Sequence, residues 1–86
     1  MFEYIGPRHL MGGDVRFRVE RGDDRRVWVV SREALDDHFG GANGLESAFD
    51  GAVWEIMDAA NKRFDANEVE PDGSVIVRSS DFEGRQ

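Results

Sequence analysis

Two histidines and eighteen carboxylates are this chain's means for acid–base or metal chemistry. His38 follows Asp36 and Asp37, a trio from which a metal site or an acid–base relay could be drawn. Successive helical residues lie about 100° apart, however, so the three do not converge. His9 is distant in sequence, and no second histidine stands at the i+4 spacing of a helical zinc site. The expectation is no metal. Asp23-Asp24, Asp36-Asp37, Glu68 and Glu70 offer carboxylates for hydrolysis. All sit in polar, loop-like or helix-surface contexts, where nothing buries a carboxylate to tune it for catalysis. Gly40-Gly41-Ala42-Asn43-Gly44 precedes a helix start, a place where backbone N–H groups can bind anions. It lacks the Gly-Lys-Ser/Thr ending of a phosphate loop and follows no strand. Arg21-Gly22-Asp23 spells a cell-adhesion tripeptide but reads as a hairpin turn. With no cysteine, thiol catalysis, disulfides and iron–sulfur clusters are excluded. No catalytic residue and no cofactor are expected, and the chain reads as a non-enzyme.

Arginines and tryptophan point instead to binding. Arg16, Arg18 and Arg26 are placed on the outer face of a hairpin, joined there by Trp28 or by Val27 and Val29. Arginines with an aromatic on a sheet face are one way to hold single-stranded nucleic acid. Only one aromatic is available, and Glu20, Asp23 and Asp24 lie close by, so a solvated face is preferred and nucleic acid is the alternative. Trp54 is the sharper signal. It lies roughly 130° from the centre of the apolar stripe of its helix, among Asp50, Asp58 and Asn61. Two accounts stand side by side: an interface anchor, or a ring flattened against Phe2 or Tyr4.

The elements that position these residues follow from hydropathy patterning. Asp14 to Glu20 alternates, with Val15, Phe17 and Val19 on one face and Arg16 and Arg18 on the other, a strand buried on one side. Arg21 to Arg25 reads as the loop. Arg26 to Val30 is a second strand, apolar on both faces, so that either Trp28 and Val30 or Val27 and Val29 meet something beyond the hairpin. Ser31 caps a short helix with Glu33 in its first turn, and Gly40-Gly41 ends it. From Asn43, paired with Glu46 in a capping box, a helix is predicted to run to about Arg63. Its stripe is Leu45, Ala48, Phe49, Ala52, Val53, Ile56, Met57, Ala60 and Phe64. Pro71-Asp72-Gly73 turns the chain into a third strand, Ser74 to Ser79, and Phe82 pins the end. Phe2 to Tyr4 allows a short edge strand that Gly6-Pro7 breaks.

The expected fold is therefore α+β in two layers: a small antiparallel sheet with two helices on one face, in the order β-β-α-α-β. The core is assigned to Val15, Phe17, Val19, Leu35, Phe39, Phe49, Val53, Ile56, Met57, Val75 and Val77. The whole chain reads as one domain, compact over about 14–82, weakly patterned over 1–13 and polar at 83–86. A domain of this size buries only roughly 60–65% of the surface of its unfolded chain, so a second subunit would help. Net charge is −7 and is uneven. Residues 1–43 carry seven Arg against eight acids, and residues 44–86 carry four Lys or Arg against ten. The acidic half disfavours general phosphate-backbone binding. No apolar run reaches ~18 residues and no signal-peptide pattern opens the chain, so a cytoplasmic protein without a membrane span is expected.

Several of these segments together resemble one family. They are Val15-Arg16-Phe17, Val29 to Leu35 with Phe39-Gly40, Ala48-Phe49-Asp50 with Ile56 and Ala60, and the closing Asp81-Phe82. The pattern is similar to the bacterial domain-of-unknown-function family 1488 over about residues 14–82. The resemblance implies a compact α+β fold, no assigned activity and no catalytic residue to carry over. The residues themselves then favour a binding or regulatory module acting through an unidentified protein partner or as a homodimer. Trp54, Trp28 and Val30 are its candidate interface.

Overall fold

Strand pairing begins where glycine permits it. The structure, a computed structural model, describes residues 1–83. Gly12 and Gly13 take φ of 61° and 91° and so form a tight hairpin turn between β1 (Glu3–Met11) and β2 (Asp14–Arg21). Gly22, at φ 60°, turns the chain into β3 (Asp24–Val30). Both pairings are antiparallel. The N-terminal strand is longer than the sequence suggests. Gly6-Pro7 does not end it, because the strand lies at the sheet edge, where a proline N–H is not needed. The dipeptide instead shifts the register between Tyr4 and Arg8.

Ser31 caps α1 (Arg32–Phe39) as expected, its hydroxyl accepting from the Ala34 N–H at 3.2 Å. Gly40, at φ 72°, closes it. The long helix predicted from Asn43 is two helices. α2 (Leu45–Gly51) and α3 (Val53–Asp65) meet at Ala52, whose φ of −123° and ψ of 14° leave the helical region. Gly51, a poor helix former, precedes the break. The capping box is also absent. Asn43 ends a short 3₁₀ turn, Gly44 is the N-cap of α2, and Glu46 is drawn away to Arg8 at 2.7 Å.

The returning strand β4 (Ile76–Val77) pairs with β3, and the pairing is parallel, so the sheet is mixed rather than antiparallel. Three helices carry the chain across and bring it back in the direction of β3. The order is β-β-β-α-α-α-β and the sheet runs β1-β2-β3-β4. The helices cover the face bearing Val15, Phe17 and Val19. Of the core residues expected, Phe39 and Val53 are only half-buried and the others are buried. Phe2, Trp28, Val30 and Phe82 join them. Phe2 sits 4.8 Å from Trp28 and 5.0 Å from Phe64 between ring centroids, which draws the N-terminal strand into the core. Phe82 stacks edge-on against Phe39 at 4.9 Å, and Arg63 holds Asp81 at 2.7 Å beside it. The polar tail expected at 83–86 lies, from residue 84 on, outside the described residues.

Candidate functional site

Trp54 stands in the first turn of α3 and is 84% exposed. The break at Ala52 starts α3 afresh with Ile56, Met57 and Ala60 turned inward, which leaves Trp54 on the outer side. It borders a groove of about 480 Å³ between α3 and the start of β1, with Met1, Tyr4, Val53 and Met57 as its apolar lining. Glu3 and Asp58 supply its polar edge. The ring does not flatten against Phe2, which is buried on its own account.

One buried polar residue holds this groove together. The Asn61 carbonyl oxygen accepts from the Phe2 N–H at 2.8 Å, and its amide donates to the Phe2 carbonyl at 3.0 Å and to the Met57 carbonyl at 3.0 Å. A single side chain thus satisfies both backbone groups of Phe2, as a neighbouring strand would. Nothing in the sequence marks it: Asn61 follows Trp54 by seven residues, within about 20° of it around the helix, and reads as part of the polar side.

The second candidate face is the side of the sheet away from the helices. Arg16 pairs with Val29 and Arg18 with Val27, so these four share that face. Arg26 does not. It lies opposite Val19, on the helix side, where it donates to Asp24 at 3.0 Å and to the Gly73 carbonyl at 3.0 Å. Its guanidinium lies 5.1 Å from the centroid of the Phe64 ring. Trp28 and Val30 are corrected in the same way. Trp28 opposes Phe17 and Val30 opposes Val15, and both are fully buried, so neither can touch a partner. The outward residues of β3 are Val27 and Val29, and Val27 is 44% exposed. Arg18 has no ion pair among the described residues, and the Asp72 carboxyl near this face is held below the ordinary carboxylate range chiefly by hydrogen bonds from Ser74, with Arg16 adding least.

One further cluster looks chemical. His38 Nε2 lies 3.1 Å from Ser79 Oγ, and that hydroxyl donates to Asp37 at 2.8 Å. In a nucleophilic triad the carboxylate orients the histidine and the histidine accepts the serine proton. Here the serine proton goes to the carboxylate, so the cluster is a tether between α1 and the 3₁₀ turn Ser79–Asp81. Among the described residues no three His, Asp or Glu side chains converge as a metal site would need. Asp24, Asp36 and Asp37 are held by Arg26, Arg32 and Ser79. Gly22 and Asp23 form the hairpin turn between β2 and β3.

Arg8 ties β1 to α2 beside the groove. It donates twice to Asp50, at 3.0 and 2.8 Å. The hydrogen bonds from Arg8 hold the Asp50 carboxyl below its ordinary 3.8, and Arg26 does the same for Asp24. A carboxylate whose pKa is lower folded than unfolded stabilises the fold above the unfolded value, and that contribution fades as pH falls through the folded one. Stability is therefore expected to hold to about pH 5 and to drop below 3.8. Thermal melts over this range should show a shallower drop for Asp50→Asn than for wild type. Parallel curves would remove Asp50 from the acid response.

A family model described as "Protein of unknown function (DUF1488)" matches residues 11–77. No curated protein and no solved structure matches the chain. Among the described residues no helix is long and apolar enough to cross a membrane.

Proposed function

The chain belongs to the DUF1488 family of unknown function, and from that premise we propose that it is a non-enzymatic protein-binding module of the cytoplasm. The observation that carries this reading is Trp54, 84% exposed beside an apolar groove. A tryptophan buries about 150–250 Å² when covered and is the commonest kind of interface anchor. Leaving one in water beside Met1, itself 82% exposed, gains the folded chain nothing. Glu3 and Asp58, the latter ion-paired with Lys62 at 3.1 Å, line the groove with Trp54, so the fitting partner surface is apolar with a polar margin. The test is capture from native cells with wild type and Trp54→Ala as baits, followed by binding of the purified partner. A partner that binds both proteins within a factor of about two would overturn the role of Trp54.

A second reading is weak binding of single-stranded nucleic acid by Arg16 and Arg18. Their place on an uncovered sheet face favours it. The inward turn of Trp28 and the departure of Arg26 weaken it, leaving His9, opposite Arg16, as the ring on that face. Polarisation of a labelled single-stranded RNA at low salt checks it. Tight, salt-sensitive binding would make it the leading reading.

A further inference from the structure

We propose that the Asn43–Gly44 peptide bond is a modification site. The folded chain deamidates there through a cyclic imide, which places an isoaspartate in the joint between α1 and α2.

Three bonds in the chain run from an Asn or Asp to a glycine: Asn43–Gly44, Asp50–Gly51 and Asp72–Gly73. In each, no Cβ on the glycine crowds an attack by its own nitrogen on the preceding side chain. The structure tells them apart. Asp50 lies inside α2, and Arg8 holds its carboxylate twice, at 3.0 and 2.8 Å. Asp72 accepts from the Ser74 N–H at 2.9 Å. A carboxyl must be protonated before it can lose water. Hydrogen bonds hold both of these carboxyls below their ordinary range, from Arg8 for Asp50 and from Ser74 for Asp72. Asn43 is neutral already. It is exposed, and its amide makes no hydrogen bond among the described residues. The other asparagines differ again. Asn61 is buried with three hydrogen bonds and precedes Lys62, and Asn67 precedes Glu68.

The fold itself demands glycine after Asn43. Gly44 has a φ of 133°, which side-chain-bearing residues rarely adopt. Its N–H makes one contact, a 2.9 Å donation to the Gly41 carbonyl beside the 3₁₀ turn Gly41–Asn43. Opening so short a turn costs far less than unfolding the chain, so the nitrogen is released under native conditions. The Gly44 nitrogen then gives its proton to hydroxide and bonds to the side-chain carbonyl carbon of Asn43. The bond to the amide nitrogen breaks, and that nitrogen leaves as ammonia with a proton from water. One water opens the imide. Opening at the side-chain carbonyl gives aspartate. Opening at the main-chain carbonyl gives isoaspartate, whose backbone is longer by one methylene. That methylene falls between the Gly41 carbonyl and the Gly44 N–H, so the turn bond ahead of α2 is lost. α2 carries Phe49 into the core and Glu46 to Arg8.

The experiment holds the purified full chain well below its melting temperature, in neutral and in mildly alkaline buffer. Peptide mass mapping locates the acid, and labelling by an isoaspartyl methyltransferase detects isoaspartate. Acid should accumulate at position 43 at least about tenfold faster than at Asn61 or Asn67, and faster in the alkaline buffer. Asn43→Gln, whose side chain is one methylene too long for this ring, should gain no label. The isolated isoaspartyl form should melt below Asn43→Asp, which adds the same charge on an ordinary backbone. Conversion seen only in the urea-unfolded chain overturns the proposal, as does conversion at Asn61 or Asn67 that keeps pace. An isoaspartyl form that melts together with Asn43→Asp overturns the change at the joint.

Discussion

Phe49→Ala should lose about 3–5 kcal/mol of stability, the cost of an emptied aromatic site in a core. Phe49 is fully buried, with ring centroids 5.2 Å from Phe17 and 5.5 Å from Tyr4. It is where α2 bears on both β2 and β1. A chain this long has roughly 4–13 kcal/mol to lose in all. In a domain of this size each kcal/mol moves the melting point by about 4–8 °C, so a fall of more than 12 °C or outright unfolding is expected. Phe49→Leu keeps most of the volume and should cost about 1–1.5 kcal/mol. Urea unfolding of both variants separates the cavity from the loss of the ring. If Phe49→Ala melts within about 4 °C of wild type, the site collapses freely and Phe49 is not the joint described.

Much of this packing is legible in the sequence because period-two alternation is unambiguous where one face is polar. Val15, Phe17 and Val19 against Arg16 and Arg18 admit one reading. Val27 to Val30 admits two, since both its faces are apolar. Its phase is set by the turn: Gly22 and Asp23 alone form it, so Arg21 opposes Asp24 and every later pair follows. A loop drawn from Arg21 to Arg25 hides that count. It therefore misplaces Arg26 outward and leaves Trp28 undecided. The helix break at Ala52 is harder to see, because Gly51 costs only about 1 kcal/mol against alanine and the stripe continues across it. The parallel return of β4 depends on where three helices deliver the chain, which no local pattern records. Of the candidate site, the exposure of Trp54 is left open by helical phase, since Asn61 at nearly the same phase is buried; only its place off the apolar stripe follows from phase. The groove beside it does not, because its far wall is β1, and a weakly patterned strand acquires its place only from Phe2 and Asn61.

Asn61→Ala is expected to cost about 2–4 kcal/mol and to release the start of β1. The side chain is 4% exposed and makes three hydrogen bonds, at 2.8, 3.0 and 3.0 Å. Removing it leaves the Phe2 N–H and carbonyl without their partner in a buried place, and each such group costs about 1–3 kcal/mol unless water reaches it. Water reaches it only if Phe2 leaves its site over Trp28 and Phe64. The chain therefore trades an unpaired backbone for an emptied aromatic pocket, and the looser start of β1 is the cheaper outcome. That consequence is readable by fluorescence. In a Trp54→Phe background the emission belongs to Trp28, which is fully buried beside Phe2. Asn61→Ala should shift it to the red while the remaining fold still melts cooperatively. The Phe2 amide should lose its protection against hydrogen exchange in the same variant. An unshifted Trp28 with a protected Phe2 amide would mean that aromatic packing alone holds the strand. If the strand does loosen, the wall of the Trp54 groove goes with it, and binding at Trp54 should weaken although Asn61 touches no partner.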